Sequence, residues 1–181
     1  RREQSLDPET ARLAGTALHA LLQHLSRTPP EQRATVAARA LPLLLPEAPS
    51  QHEGLAGKAI SILSRPDLAH LFGPNSRAEV PFLATALRNS QTVTIAGRID
   101  RLVESADEIL LVDFKSDASP AMEPDGIPGA YQRQLALYAL VASQLFPRHA
   151  VSAAILWTSL ESLVKLSPAA LAEAGRGFTV Q

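Results

Sequence analysis

The hydrophobic pattern of the chain changes character once, near residue 73. Before that point Leu, Ala and Gln dominate and β-branched and aromatic residues are scarce, which predicts helices over residues 1–72. Asp7-Pro8-Glu9 forms a helix start, with Asp7 as N-cap and Pro8 in the first helical position. Leu18, Leu21, Leu22 and Leu25 then recur at the spacing of one buried helical face, and the run ends near Arg27-Thr28-Pro29-Pro30. A second helix is expected over 31–45 and a third over 51–63, with the Pro-rich stretch Leu41 to Pro49 separating them.

After Gly73-Pro74-Asn75 the period shortens to alternation. Ala78 to Leu83 is a candidate strand. Thr92 to Val103 places Val93, Ile95, Ile99 and Val103 on one face, and Thr94, Arg98 and Asp100 on the other. If the next turn is centred on Ala106 and Asp107, antiparallel pairing sets position 100 opposite position 113. Leu110, Val112 and Phe114 then extend the apolar side, so Asp113 and Lys115 join Asp100 on the polar one. Residues 117–129 read as a loop and 129–145 as a helix. A strand at Val151 to Thr158 follows, with Ser162 to Leu166 as its candidate partner. This order predicts an α/β fold, a mixed sheet flanked by helices with a helical N-terminal region.

Composition narrows the chemistry. With 181 residues, 46% of them hydrophobic, the chain can bury a core of ordinary domain size. There is no cysteine, which excludes disulfides, thiolate metal sites and a thiol nucleophile, and fits a reducing cytoplasm. A net charge of −1 carries no global signal for nucleic acid or an anionic membrane, so any nucleic-acid contact must be local. No apolar run approaches the length that spans a bilayer. The chain starts at Arg1-Arg2-Glu3 rather than methionine, and is expected to be a piece of a longer one.

Two neighbouring carboxylates repel one another unless a cation lies between them. Mg²⁺ favours such oxygen ligands, and a lysine alongside can stabilise the attacking water or the charge developing on a phosphate. A lone Asp-x-Lys triplet is more often a solvated hairpin edge. A facing aspartate on an adjoining strand favours a site.

Gly97-Arg98-Ile99-Asp100-Arg101-Leu102, followed by Val112-Asp113-Phe114-Lys115-Ser116, resembles the motif of PD-(D/E)XK nucleases, in particular their RecB-like branch. Gly15-Thr16-Ala17-Leu18-His19 is similar to that branch's Gly-x-x-x-His element, and Gln134 to Tyr138 to its Gln-x-x-x-Tyr helix. Within the branch, the chain is most similar to the C-terminal nuclease domain of AddA-type helicase–nuclease subunits. The resemblance implies a single restriction-endonuclease-like domain over 1–181, with a helical part to 72 and a sheet core from 73.

It further implies a DNA nuclease in bacterial double-strand-break repair and recombination. Mg²⁺, or Mn²⁺ in its place, is held by His19, Asp100 and Asp113, with Lys115 at the attacking water and Gln134 and Tyr138 in support. Read from the residues alone, a lone histidine beside a leucine stripe is more often a packed boundary residue, a reading that Gly15 one turn earlier shifts toward the site, and the tyrosines equally pack on the sheet. Arg98 and Tyr131 are candidate DNA contacts, Arg101 is expected to brace the core, and Glu79 is either an extra carboxylate or a solvated charge beside Arg77. His24, His52, His70 and His149 have no such context. The expected partners are DNA, a helicase motor on the parent chain and a second helicase–nuclease subunit, with no membrane. No Gly-x-x-x-x-Gly-Lys-Ser/Thr loop occurs, so a motor must lie elsewhere. The rival is a non-catalytic nuclease-fold module that binds a subunit or DNA without cutting.

Overall fold

A computed structural model of the protein describes residues 7–116 and 120–181. The chain divides into two compact units, residues 1–69 and 70–181. The first is helical: α1 (Pro8–Leu25), α2 (Arg33–Leu44) and α3 (His52–Ser64). Asp7 caps α1 as expected, its carboxylate accepting the Glu9 and Thr10 N–H groups, each at 3.1 Å. Ala14, Ala17, Leu18, Leu21, Leu22 and Leu25 are the buried residues of that helix. The Pro-rich stretch does not end α2 where its prolines begin, because the helix runs through Pro42 to Leu44. Ala38, whose carbonyl loses its donor to the proline ring, is exposed and open to water. His52 closes the next turn, its Nε2 2.7 Å from the Leu45 carbonyl.

The second unit is a mixed six-stranded sheet, in the order β5-β4-β3-β2-β1-β6. Its strands are β1 (Ser76–Arg88), β2 (Gln91–Glu104), β3 (Glu108–Lys115), β4 (Ala150–Trp157), β5 (Ser162–Lys165) and β6 (Phe178–Val180). β1 and β2 form a long hairpin closed by Asn89 and Ser90, whose φ angles of 49° and 62° give the two-residue turn that suits strand twist. β3 and β4 are parallel, joined through α4 (Gly129–Leu145), while the other pairs are antiparallel. The sequence pattern gave no warning of α5 (Pro168–Ala174) or β6; Ser167 caps the first, and the second pairs with Ala86–Arg88.

The expected division of the sheet into a core face and a site face needs correction. Every residue from Ile109 to Phe114 is buried, because a central strand paired in parallel to β4 is covered on both sides. Ile95, Ile99 and Leu102 share one cluster with Leu111, Tyr138 and Ile155, yet 99 and 102 cannot share a face on an unbroken strand. Alternation is therefore interrupted between them. There Glu79, between the pairs Ala78↔Arg101 and Val80↔Ile99, takes a left-handed φ of 53°. Val103 consequently leaves the core side occupied by Val93, Ile95 and Ile99, and lines a cavity with Leu110 and Leu163.

Gly97 permits the closest approach of α4 to the sheet. Tyr138 stacks on Phe82 with ring centroids 5.3 Å apart, and its phenol lies on the Gly97 backbone, so a Cβ there would come within 2.7 Å of the ring carbon Cζ. Gly97→Ala is expected to lower stability by about 1–3 kcal/mol through forced repacking. Gly57→Ala, in open space on α3, is expected to raise it by about 0.5–1 kcal/mol. Denaturant unfolding measures both, and equal effects would contradict the close approach.

Candidate active site

The β2–β3 ladder pairs Arg101 with Val112 and Leu102 with Leu111, the register expected from the turn at 106 and 107. Paired strand ends there. Two residues beyond Val112, the Phe114 N–H donates to Asp100 Oδ2 at 2.6 Å, so a side-chain carboxylate takes the place of a strand carbonyl. That bond holds Asp100 close to Asp113, whose negative charge acts on it. Asp113 is 6% exposed, and the Lys115 ammonium lies 2.7 Å from its Oδ2. The three groups converge at the carboxyl end of a parallel strand, where open α/β sheets commonly bind ligands.

The backbone of Lys115 is fixed from β4, because the Thr158 N–H and Oγ1 both donate to its carbonyl, at 2.9 and 3.1 Å. Its ammonium sits 4.3 Å from the centroid of the Tyr131 ring. Sequence reasoning missed Thr158 and Trp157 as members of this site. Their only signal was position at the end of the strand after the crossover helix, which becomes informative once β3 and β4 are known to be parallel.

Burial pushes the Asp100 carboxyl up to about 8, and the Asp113 charge adds to it, while the Phe114 N–H pulls the other way. Near neutral pH the pair therefore holds a proton. Burial pulls Lys115 down, but the adjacent Asp113 carboxylate, with smaller help from Tyr131 and Asp100, outweighs it and holds the ammonium above its ordinary value. Lys115 is thus a cation and not a neutral base.

This donor set fits an oxygen-seeking divalent cation. Asp113 Oδ2 is buried, and although the Lys115 ammonium is close, it receives no well-directed hydrogen bond. Asp100 keeps a proton that a cation would replace. Among the described residues, no group of three or more His, Asp or Glu side chains is arranged to hold a metal.

The remaining candidates fall in different places. His19 belongs to α1 in the N-terminal unit and is half-buried. Gln134 lines a groove with Arg133, Thr94, Ile95 and Ala96, and Tyr138 is buried against Gly97 and Phe82. Arg98 is exposed and paired with Glu79 at 3.3 Å. Arg101 is buried with its guanidinium over the Phe72 ring, a brace as expected. The start of the 117–129 loop, residues 117–119, lies outside the described residues.

Because the Asp100 pKa is raised on folding, the folded chain keeps a proton that the unfolded chain has lost. Metal-free stability is therefore expected to fall as pH rises from about 4 to about 8. Asp100→Asn keeps an acceptor for Phe114 and removes the charge, so at pH 8 in chelator it is expected to be more stable than the parent by about 1–3 kcal/mol. Urea midpoints across that range are the check; a parent chain that gains stability toward pH 8 contradicts the proton held by Asp100.

A sequence profile of the PD-(D/E)XK nuclease superfamily matches residues 1–175. No curated protein sequence matches significantly. Among solved structures, the crystal structure of SSO0001 is 18% identical and aligns over 94% of this chain and 83% of its own, with a TM-score of 0.38, too low to carry an argument. The profile covers both units and the carboxylate–lysine site together, and on that ground the chain belongs to the PD-(D/E)XK nuclease superfamily.

Proposed function

We propose that this chain is a metal-dependent deoxyribonuclease domain of the RecB-like branch, of the AddA type, hydrolysing phosphodiester bonds in single-stranded DNA ends during double-strand-break repair. The observation that carries this reading is the convergence of Asp100, Asp113 and Lys115 at the end of β3. A bound Mg²⁺ or Mn²⁺ would supply positive charge at the scissile phosphate and an oriented water. Asp100 and Asp113 bind it, the Phe114 N–H fixes the orientation of Asp100, and Lys115 stabilises charge that develops on the phosphate oxygens.

His19 is carried as the third ligand and Gln134 and Tyr138 as supporting residues on the strength of the motif resemblance. Arg98 is carried as a phosphate contact once released from Glu79. The net charge of −1 supports delivery of DNA by a motor on the parent chain, with a second helicase–nuclease subunit as partner, because a free-standing DNA binder relies on clustered cations. A cytoplasmic, nucleoid-associated place follows from that role. Among the described residues no helix is long and apolar enough to cross a membrane. A binding module without catalysis is the weaker reading, since it leaves the half-buried lysine and its carboxylates without a task.

Cleavage of single-stranded DNA in Mg²⁺ or Mn²⁺ tests the proposal. Asp113→Ala and Lys115→Ala are each expected to reduce the rate by about 10²-fold or more. Activity that survives both substitutions sinks the assignment. In calorimetric Mn²⁺ titrations Asp113→Ala is expected to abolish binding and His19→Ala to weaken it about tenfold. Unchanged affinity in the latter removes His19 from the ligand set.

A further inference from the structure

Lys115 is held by three separate attachments. Thr158 grips its carbonyl, Asp113 faces its ammonium at 2.7 Å, and the Tyr131 ring lies 4.3 Å from the same nitrogen. Tyr131 does not float. Its ring rests against Trp157, with centroids 6.3 Å apart and planes at 51°. Trp157 is fully buried and stands directly beside Lys115 in the β3–β4 register. The ring therefore has a rigid backing from the strand that also holds the lysine backbone.

The ion pair to Asp113 is the attachment that a divalent cation weakens. A carboxylate engaged by such an ion attracts an ammonium less, and the ion itself repels it. A lysine on four rotatable bonds would then swing toward water. An aromatic face attracts the ammonium through its quadrupole without offering an oxygen that competes for the cation. We propose that Tyr131, backed by Trp157, is a positioning residue that keeps the Lys115 ammonium in the site when Asp113 turns to a cation. This departs from the role of Tyr131 as a DNA contact. Its consequence for turnover rests on the nuclease reading, but the contact itself does not.

The chain has three lysines, Lys58, Lys115 and Lys165, so a chain labelled with ¹³C-lysine gives three side-chain ε-methylene lines. In the full chain, the Lys115 line is expected upfield of the other two through the Tyr131 ring current, both in chelator and in Mg²⁺. Tyr131→Phe keeps that shift and holds kcat within about twofold, whereas Tyr131→Leu removes it and lowers kcat about tenfold with KM for single-stranded DNA within about twofold. A Lys115 line that moves back to the other two when Mg²⁺ is added overturns the proposal. So does a Tyr131→Leu chain that raises KM at unchanged kcat. Should Tyr131→Leu fail to fold, the wild-type line in Mg²⁺ still decides. A wild-type chain that does not cut DNA, while its Lys115 line stays shifted in Mg²⁺, sinks the nuclease reading and supports the positioning role.

Discussion

Two carboxylates in contact, out of water, cannot both carry charge without a cation between them, and the second unit is built around that conflict. Asp100 and Asp113 are brought together by backbone, because the Phe114 N–H, next along β3 from Asp113, donates to the Asp100 carboxylate. Moving either residue would leave a buried N–H unpaired or a buried charge unshielded. The conflict is relieved in two ways at once, by the proton on Asp100 and by the ammonium of Lys115. Both are charges that a divalent ion could replace, and the proposed metal binding rests on that exchange.

The surrounding fold serves this spot. A parallel β3–β4 pair needs a crossover, and α4 as that crossover brings Tyr131 to the lysine and Tyr138 to Gly97. The approach at Gly97 sets how near α4 lies to β2, and so where its first turn meets the end of β3. The left-handed turn at Glu79 does a related task on the other side of Asp100. It breaks the alternation of the hairpin, so the stretch from 93 to 99 and the stretch from 102 onward each supply core residues to the side that α4 covers.

How much of this was legible beforehand follows from physical range. The β2–β3 register was readable because a tight turn and a period of two leave little freedom, and Arg101↔Val112 follows from them. The cap on α1 and the extent of α4 were readable for similar local reasons. The broken alternation was not, since Glu79 is an ordinary residue in an unusual conformation that tertiary pairing imposes. Nor were α5 and β6, whose short spans depend on packing against distant strands. Thr158 and Trp157 became site residues only through parallel pairing with β3, which alternation along one strand does not reveal.

The central claim is that a divalent cation replaces a proton held by Asp100 beside Asp113. Calorimetric titration of Mg²⁺ into the full chain, repeated in buffers of different ionisation enthalpy, measures that exchange directly. Release of about one proton per bound cation at pH 7, declining above pH 8 and absent with binding in Asp113→Asn, is the result expected. Binding of Mg²⁺ with no proton released at pH 7, or binding that survives Asp113→Asn undiminished, would contradict it.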